Sequence, residues 1–220
     1  MQRLALSHLV ALVAAIALAA WTTDAAAVNV YFNNFQTVVG PELSTNGPDP
    51  LGLDTTPIGS RKFLGRSDGS PDLGLNNETV TLTLTGLSAH TAVTVGLKLF
   101  VIQSWDGNVS PGPDIWQAGH SGSLTNLQNT TFGIALGPQC YPSDCPASNA
   151  ARTGADEPNN SLGYGFFGDN VYDLSYSFAH TASTLTVKFT ASGLQGLAQL
   201  PRFRKQTVTI SGGYRRVTSL

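Results

Sequence analysis

Thr79-Val80-Thr81-Leu82-Thr83-Leu84-Thr85 alternates strictly between threonine and an aliphatic residue. A period of two fits a pleated strand and not a helix, because it sets Val80, Leu82 and Leu84 on one face and the hydroxyls on the other. Such a ribbon persists only when its apolar face is covered, so the chain must supply a second layer. Alternation resumes at Val93, Val95, Leu97, Leu99 and Val101. The intervening Gly86-Leu87-Ser88-Ala89-His90 suits a turn, so the two runs are expected to form a hairpin. Tyr172, Leu174, Tyr176 and Phe178, followed by Leu185, Val187 and Phe189, predict a second hairpin around His180. Both connections carry the string A-H-T-A, at residues 89–92 and 179–182, which records either an old duplication or a shared turn chemistry. Val28-Asn29-Val30-Tyr31-Phe32 reads as a first strand and Thr207-Val208-Thr209-Ile210 as a last one.

Composition sharpens the class. Among 220 residues there are 23 glycines and 12 prolines and only 12% are charged, which suits strands joined by turns rather than long salt-bridged helices. The expected fold is all-β: a two-sheet antiparallel jelly-roll-like sandwich, formed as one domain. Residues 137–160 and the stretch from Pro41 to Pro71 are dense in turn formers, and long loops of this kind are where binding is to be sought.

Residues 1–27 read as a cleaved signal peptide. Arg3 supplies a positive start, Leu9 to Ala20 an apolar run too short to span a bilayer, and Ala25-Ala26-Ala27 a small-residue cleavage site. Residues 28–197 then form the sandwich and residues 198–220 a divergent basic tail that includes the last strand. The mature protein is expected outside the cell, with no membrane attachment once the signal is removed. All the acidic residues of the mature chain precede Ala198, and five bases follow it. An acidic body with a short basic tail lacks the basic, aromatic-lined face that nucleic acid requires, so nucleic acid is excluded as a partner.

Export gives Cys140 and Cys145 a meaning. In G-P-Q-C-Y-P-S-D-C-P they are expected to form a disulfide that pins one surface loop, whereas a single C-x4-C pair cannot complete a zinc site. His90, His120 and His180 have no ligand spacing to one another. The most distinctive segment is Ser104-Trp105-Asp106-Gly107-Asn108, followed by Pro111-Gly112-Pro113-Asp114-Ile115-Trp116. Oxygens from Asp106, Asn108 and Asp114 gathered in a glycine-containing turn are what Ca²⁺ takes, so calcium is the expected cofactor there. Trp105 and Trp116 are the candidate stacking platforms for a sugar, and turn architecture with inward-capping tryptophans is the alternative.

This segment, together with the G-L-x-A-H-T connection, Gly168-Asp169-Asn170-Val171-Tyr172, F-A-H-T-A-S-T-L-T and A-S-G-L-Q, resembles secreted bacterial concanavalin A-like jelly-roll proteins, which often carry a PEP-CTERM sorting signal. The resemblance covers roughly residues 28–197 and implies an extracellular or surface role. Such proteins continue past the G-L-Q segment with an acidic, Trp-containing stretch. Here Gly193-Leu194-Gln195-Gly196-Leu197 leads instead into Ala198-Gln199-Leu200-Pro201-Arg202, and neither a V-P-E-P motif nor a terminal apolar helix follows, so no sorting anchor is expected.

Enzyme signatures are missing from the sequence. Glu42, Glu78 and Glu157 are the only glutamates, and none lies in the acidic strand that sandwich glycosidases use. The first reading is therefore a secreted or surface-associated, non-enzymatic sandwich with a structural or interaction role, stabilised by calcium, whose partner is an extracellular glycan or a surface protein. A carbohydrate-binding module is the alternative. A hydrolase whose carboxylates converge only in space is the third.

Overall fold

Threonine-aliphatic alternation becomes strand pairing throughout the chain. The computed structural model describes residues 27–66, 77–134, 137–165, 167–194 and 199–211, the last of these as backbone only. Nearly all of the expected signal peptide, and the tail beyond Ser211, lie outside the described residues. The strands are β1 (Val28–Asn33), β2 (Leu43–Thr45), β3 (Leu51–Thr55), β4 (Lys62–Arg66), β5 (Thr79–Leu84), β6 (Ala92–Gln103), β7 (Ile115–His120), β8 (Gln128–Thr131), β9 (Asp169–Ala179), β10 (Leu185–Ser192) and β11 (Gln199–Ser211). They form an all-β antiparallel sandwich. One sheet runs β3-β4-β11-β6-β9 and the other β2-β5-β10-β7-β8. β4 and β1 share the edge of β11 that faces away from β6.

The core lies between the sheets. Val80, Leu82 and Leu84 of β5, Leu185, Val187 and Phe189 of β10 and Trp116 of β7 meet Val93, Val95, Leu97 and Leu99 of β6 and Tyr172 and Leu174 of β9. Burying each such side chain contributes about 1.5–3 kcal/mol relative to leaving it in water. After Leu99 the alternation stops, and Phe100 and Ile102 are buried on the outer face as well. There they join Phe63, Leu162 and Val171 in a second small cluster, with Tyr164 packed against it. The chain around Glu157 bridges to Val171, which holds this cover over the sheet.

Neither expected hairpin forms. β5 pairs with β10 and β2, while β6 pairs with β9 and β11, so the connections on either side of His90 and His180 are arches that cross from one sheet to the other. Alternation sets which face of a strand is greasy but not which sheet the strand joins, and a short turn-rich link serves either geometry. The two A-H-T-A segments are these two arches, and they lie side by side. Leu87 N–H donates to Ser183 O at 2.9 Å and His180 N–H to Thr91 O at 3.1 Å. The imidazoles of His90 and His180 stack with centroids 5.0 Å apart, and His90 Nε2 lies 2.7 Å from His180 Nδ1. Ser88 O, 2.6 Å from His90 Nδ1, can only accept, so Nδ1 carries the proton. In a neutral ring His90 Nε2 then accepts from His180 Nδ1–H, which assigns both tautomers. Burial lowers the His180 pKa, and the neighbouring His90 lowers it further against the opposing Thr184 backbone.

Candidate functional site

The Trp/Asp corner is built from a tight turn after β6. Gly107 has φ +66°, and a Cβ there would stand 2.4 Å from Pro138 O, so this position admits only glycine. Asp114 closes the turn: its Oδ2 accepts the Asp106 N–H at 2.5 Å, and its own N–H donates to Gly107 O at 3.2 Å. Asp114 is fully buried. Desolvation pushes its pKa up to about 7, opposed by the Asp106 hydrogen bond and aided by the Asp106 charge.

Asn108 faces the other way and joins this turn to the disulfide loop. Its Nδ2 donates to Ala147 O at 2.9 Å, its N–H donates to Pro138 O at 2.8 Å, and its Oδ1 accepts from the Thr131 hydroxyl at 2.5 Å. Asp106 and Asp114 are thus brought together while the Asn108 amide turns away to the disulfide loop, and the Asn108 oxygen and one Asp114 oxygen are spent on holding the turn. Among the described residues, no three His, Cys, Asp or Glu side chains converge as a metal site would need.

The expectation for the tryptophans is corrected. Trp105 and Trp116 are 1% and 0% exposed, so neither offers a face to a sugar. Trp105 packs edge-on to Phe132. Trp116 stacks on Phe189 and donates its Nε1–H to the Tyr176 hydroxyl at 3.2 Å, which in turn donates to Gln128 Oε1 at 2.6 Å. Trp116 points inward because β7 alternates: Trp116 and Ala118 face the core, whereas Ile115 and Gln117 face out.

Cys140 and Cys145 are joined by a disulfide. Their loop lies along β8 like an additional edge. Cys145 N–H donates to Asn129 O at 2.8 Å, Asp144 Oδ1 accepts the Asn129 N–H at 2.8 Å, and the Thr130 hydroxyl donates to Ser143 O at 2.7 Å. Behind it, buried Gln139 accepts from Gly133 and Arg152 N–H and donates to Tyr141 and Thr153 carbonyls, so one amide fixes the whole irregular segment.

Between this loop and the Asn108 turn lies a cleft of ≈ 350 Å³ on the outer face of the second sheet. Asn108, Asn129 and Thr131 line it with polar groups, and Pro113, Ile115, Pro146 and Ala147 with apolar ones. Its volume falls in the range of small-ligand sites. Beside it, Gln117 Nε2 donates to Asn129 Oδ1 at 3.1 Å across β7 and β8. That bond leaves Gln117 Oε1 as an acceptor and Asn129 Nδ2 as a donor. Hydroxyls continue the row, since Gln117 pairs in register with Thr190, whose hydroxyl lies 2.8 Å from that of Thr79. Sequence reasoning missed Gln117, Asn129 and Asp144. The available signal was two amides at outward positions of adjacent strands, next to the cysteine loop.

No family model matches the chain, and no curated protein matches it. Solved structures similar to it include a family 35 carbohydrate-binding module from Clostridium thermocellum (TM-score 0.39, 8% identity, covering 84% of this chain and 98% of that one). Another is the C-terminal family 6 carbohydrate-binding module of LamC, a marine laminarinase from Zobellia galactanivorans (TM-score 0.36, 8% identity, 84% and 99%). A third is an exo-β-1,3-galactanase from Phanerochaete chrysosporium (TM-score 0.35, 11% identity, 76% and 27%).

Proposed function

We propose that this protein is an exported, non-catalytic β-sandwich that binds carbohydrate in the cleft between the Asn108 turn and the Cys140–Cys145 loop. One observation carries the reading: a preformed cleft with amides and a hydroxyl beside aliphatic and proline surface. A sugar has the same two-sided character, with hydroxyls that donate and accept at its edge and C–H groups on its faces. Among the described residues, none that lines the cleft is acidic. Cleavage of a glycosidic bond calls on two carboxylates flanking it, which favours retention of a glycan over its hydrolysis. Export is supported by the pattern of residues 1–27, and a disulfide suits an oxidising compartment.

The test is binding of the mature protein to a glycan array, followed by calorimetry on the best ligand. Gln117→Ala and Asn129→Ala should each weaken binding about tenfold or more, since a site built to pair with hydroxyls loses much when one partner goes. An array on which nothing is retained would remove the carbohydrate reading and leave a structural or surface-interaction role.

A further inference from the structure

We infer that the cleft takes an acetyl group carried on its sugar, with the carbonyl oxygen held by the Asn108 and Asn129 amides and the methyl seated against Ile115, Pro146 and Ala147. This rests on the carbohydrate reading above and adds the chemical feature by which one glycan is told from another. Among the described residues, the polar side chains that line the cleft have their amide oxygens engaged and N–H groups to spare. Asn108 Oδ1 accepts from the Thr131 hydroxyl at 2.5 Å, and Cys140 Sγ, which has no hydrogen to give in the disulfide, sits against the same oxygen at 3.2 Å. The Thr131 hydroxyl in turn accepts the Cys140 N–H at 2.8 Å. Asn129 turns its Oδ1 to Gln117, beside the cleft. Ala147 O can only accept, so it fixes the orientation of the Asn108 amide and uses one of the two hydrogens on Nδ2. Asn129 Nδ2 keeps both of its own.

Spare donors call for a ligand that accepts, and the aliphatic wall calls for one with an apolar end. A sugar hydroxyl accepts but also brings a hydrogen of its own, for which the Asn108 and Asn129 oxygens are already committed. An acetyl carbonyl accepts and donates nothing, and its methyl suits the surface of Ile115, Pro146 and Ala147. The same pair of groups is present whether the acetyl sits on nitrogen or on oxygen. One hydrogen bond to such a carbonyl raises affinity about fivefold and burial of one methyl about fourfold, about twentyfold together. A volume of ≈ 350 Å³ is at the small end of ligand sites, so one substituted ring, rather than a length of chain, is what the cleft reads.

The experiment titrates the mature, oxidised protein by calorimetry with two matched pairs. Chitotetraose and cellotetraose share one backbone and differ only at the second carbon, acetamido against hydroxyl. O-acetylated glucomannan and the same polymer deacetylated by mild alkali carry the difference on oxygen. The expected result is that an acetylated member binds at least tenfold tighter than its partner, and the pair that responds tells which atom bears the group. Asn129→Asp keeps an acceptor for Gln117 Nε2 but has no N–H, so it should cut the acetyl advantage to within about threefold, with the thermal midpoint reporting that the variant folds. Equal binding within both pairs, or an advantage unmoved by Asn129→Asp in the folded variant, overturns the acetyl reading. So does silence from both pairs: other ligands retained on the glycan array then leave carbohydrate binding standing, and an empty array removes both.

Discussion

Replacing Asp114 by asparagine should stabilise the protein at pH 8 and leave it nearly unchanged at pH 4. Asp114 is fully buried, and its pKa is raised from 3.8 to about 7, chiefly by desolvation. A raised carboxylate pKa means the folded state holds the proton longer than the unfolded chain does. Stability is therefore full below the unfolded pKa and declines as pH rises towards 7. A shift of about three pKa units corresponds to about 4 kcal/mol at 1.36 kcal/mol per unit, which is a ceiling because relaxation and water entry soften buried charges. Asparagine keeps an oxygen for the Asp106 N–H and has no charge to lose. Urea unfolding of both proteins at pH 4, 6 and 8 measures the difference, and titrations elsewhere in the molecule cancel between them. Equal destabilisation of the variant at every pH would refute the reasoning. Added Ca²⁺ that stabilises the wild type at pH 8 but not the variant would instead make the carboxylate a cation ligand, as the sequence pattern suggested.

Two further perturbations test the frame around the cleft. Gly107→Ala places a Cβ against Pro138 O at a positive φ, and thermal unfolding should show a loss of about 2–4 kcal/mol together with weakened glycan binding; an unchanged melt would show that the turn can relax. His180 has a lowered pKa, so its contribution is present above about pH 6.5 and is lost as pH falls below that. His180→Asn keeps a donor for His90 Nε2 without titrating, and its thermal midpoint should fall less than that of the wild type between pH 7.5 and pH 5.

Much of the architecture was legible because alternation is a local property. Val80, Leu82 and Leu84 are buried and their threonine neighbours face out, as the period required. The hairpins were misassigned because pairing is a long-range property: Leu82 finds Val187 and Leu97 finds Leu174, and nothing within either ribbon encodes that choice. Trp105 and Trp116 misled for a related reason. A tryptophan beside a turn looks the same whether it caps the core or faces solvent, and only the inward phase of Trp116 with Ala118 separates the two. The cleft stayed hidden because Gln117 and Asn129 read as ordinary solvated strand residues until β7 and β8 are set side by side against the cysteine loop.

The interior position of β11 governs the order in which the molecule can assemble. The five-stranded sheet needs nothing beyond Ser192, yet the six-stranded one has β1, β3 and β4 on one flank and β6 and β9 on the other, with only β11 to join them. Leu99 of β6 meets its backbone neighbour at Phe203, far along the chain, so this closure waits for residues made well after the rest of the sandwich and is slow by its long loop. A chain emerging from its synthesis thus remains half-zipped, with two open backbone edges, until those residues arrive. On the export reading proposed above, such a delay keeps the chain extensible for as long as threading requires.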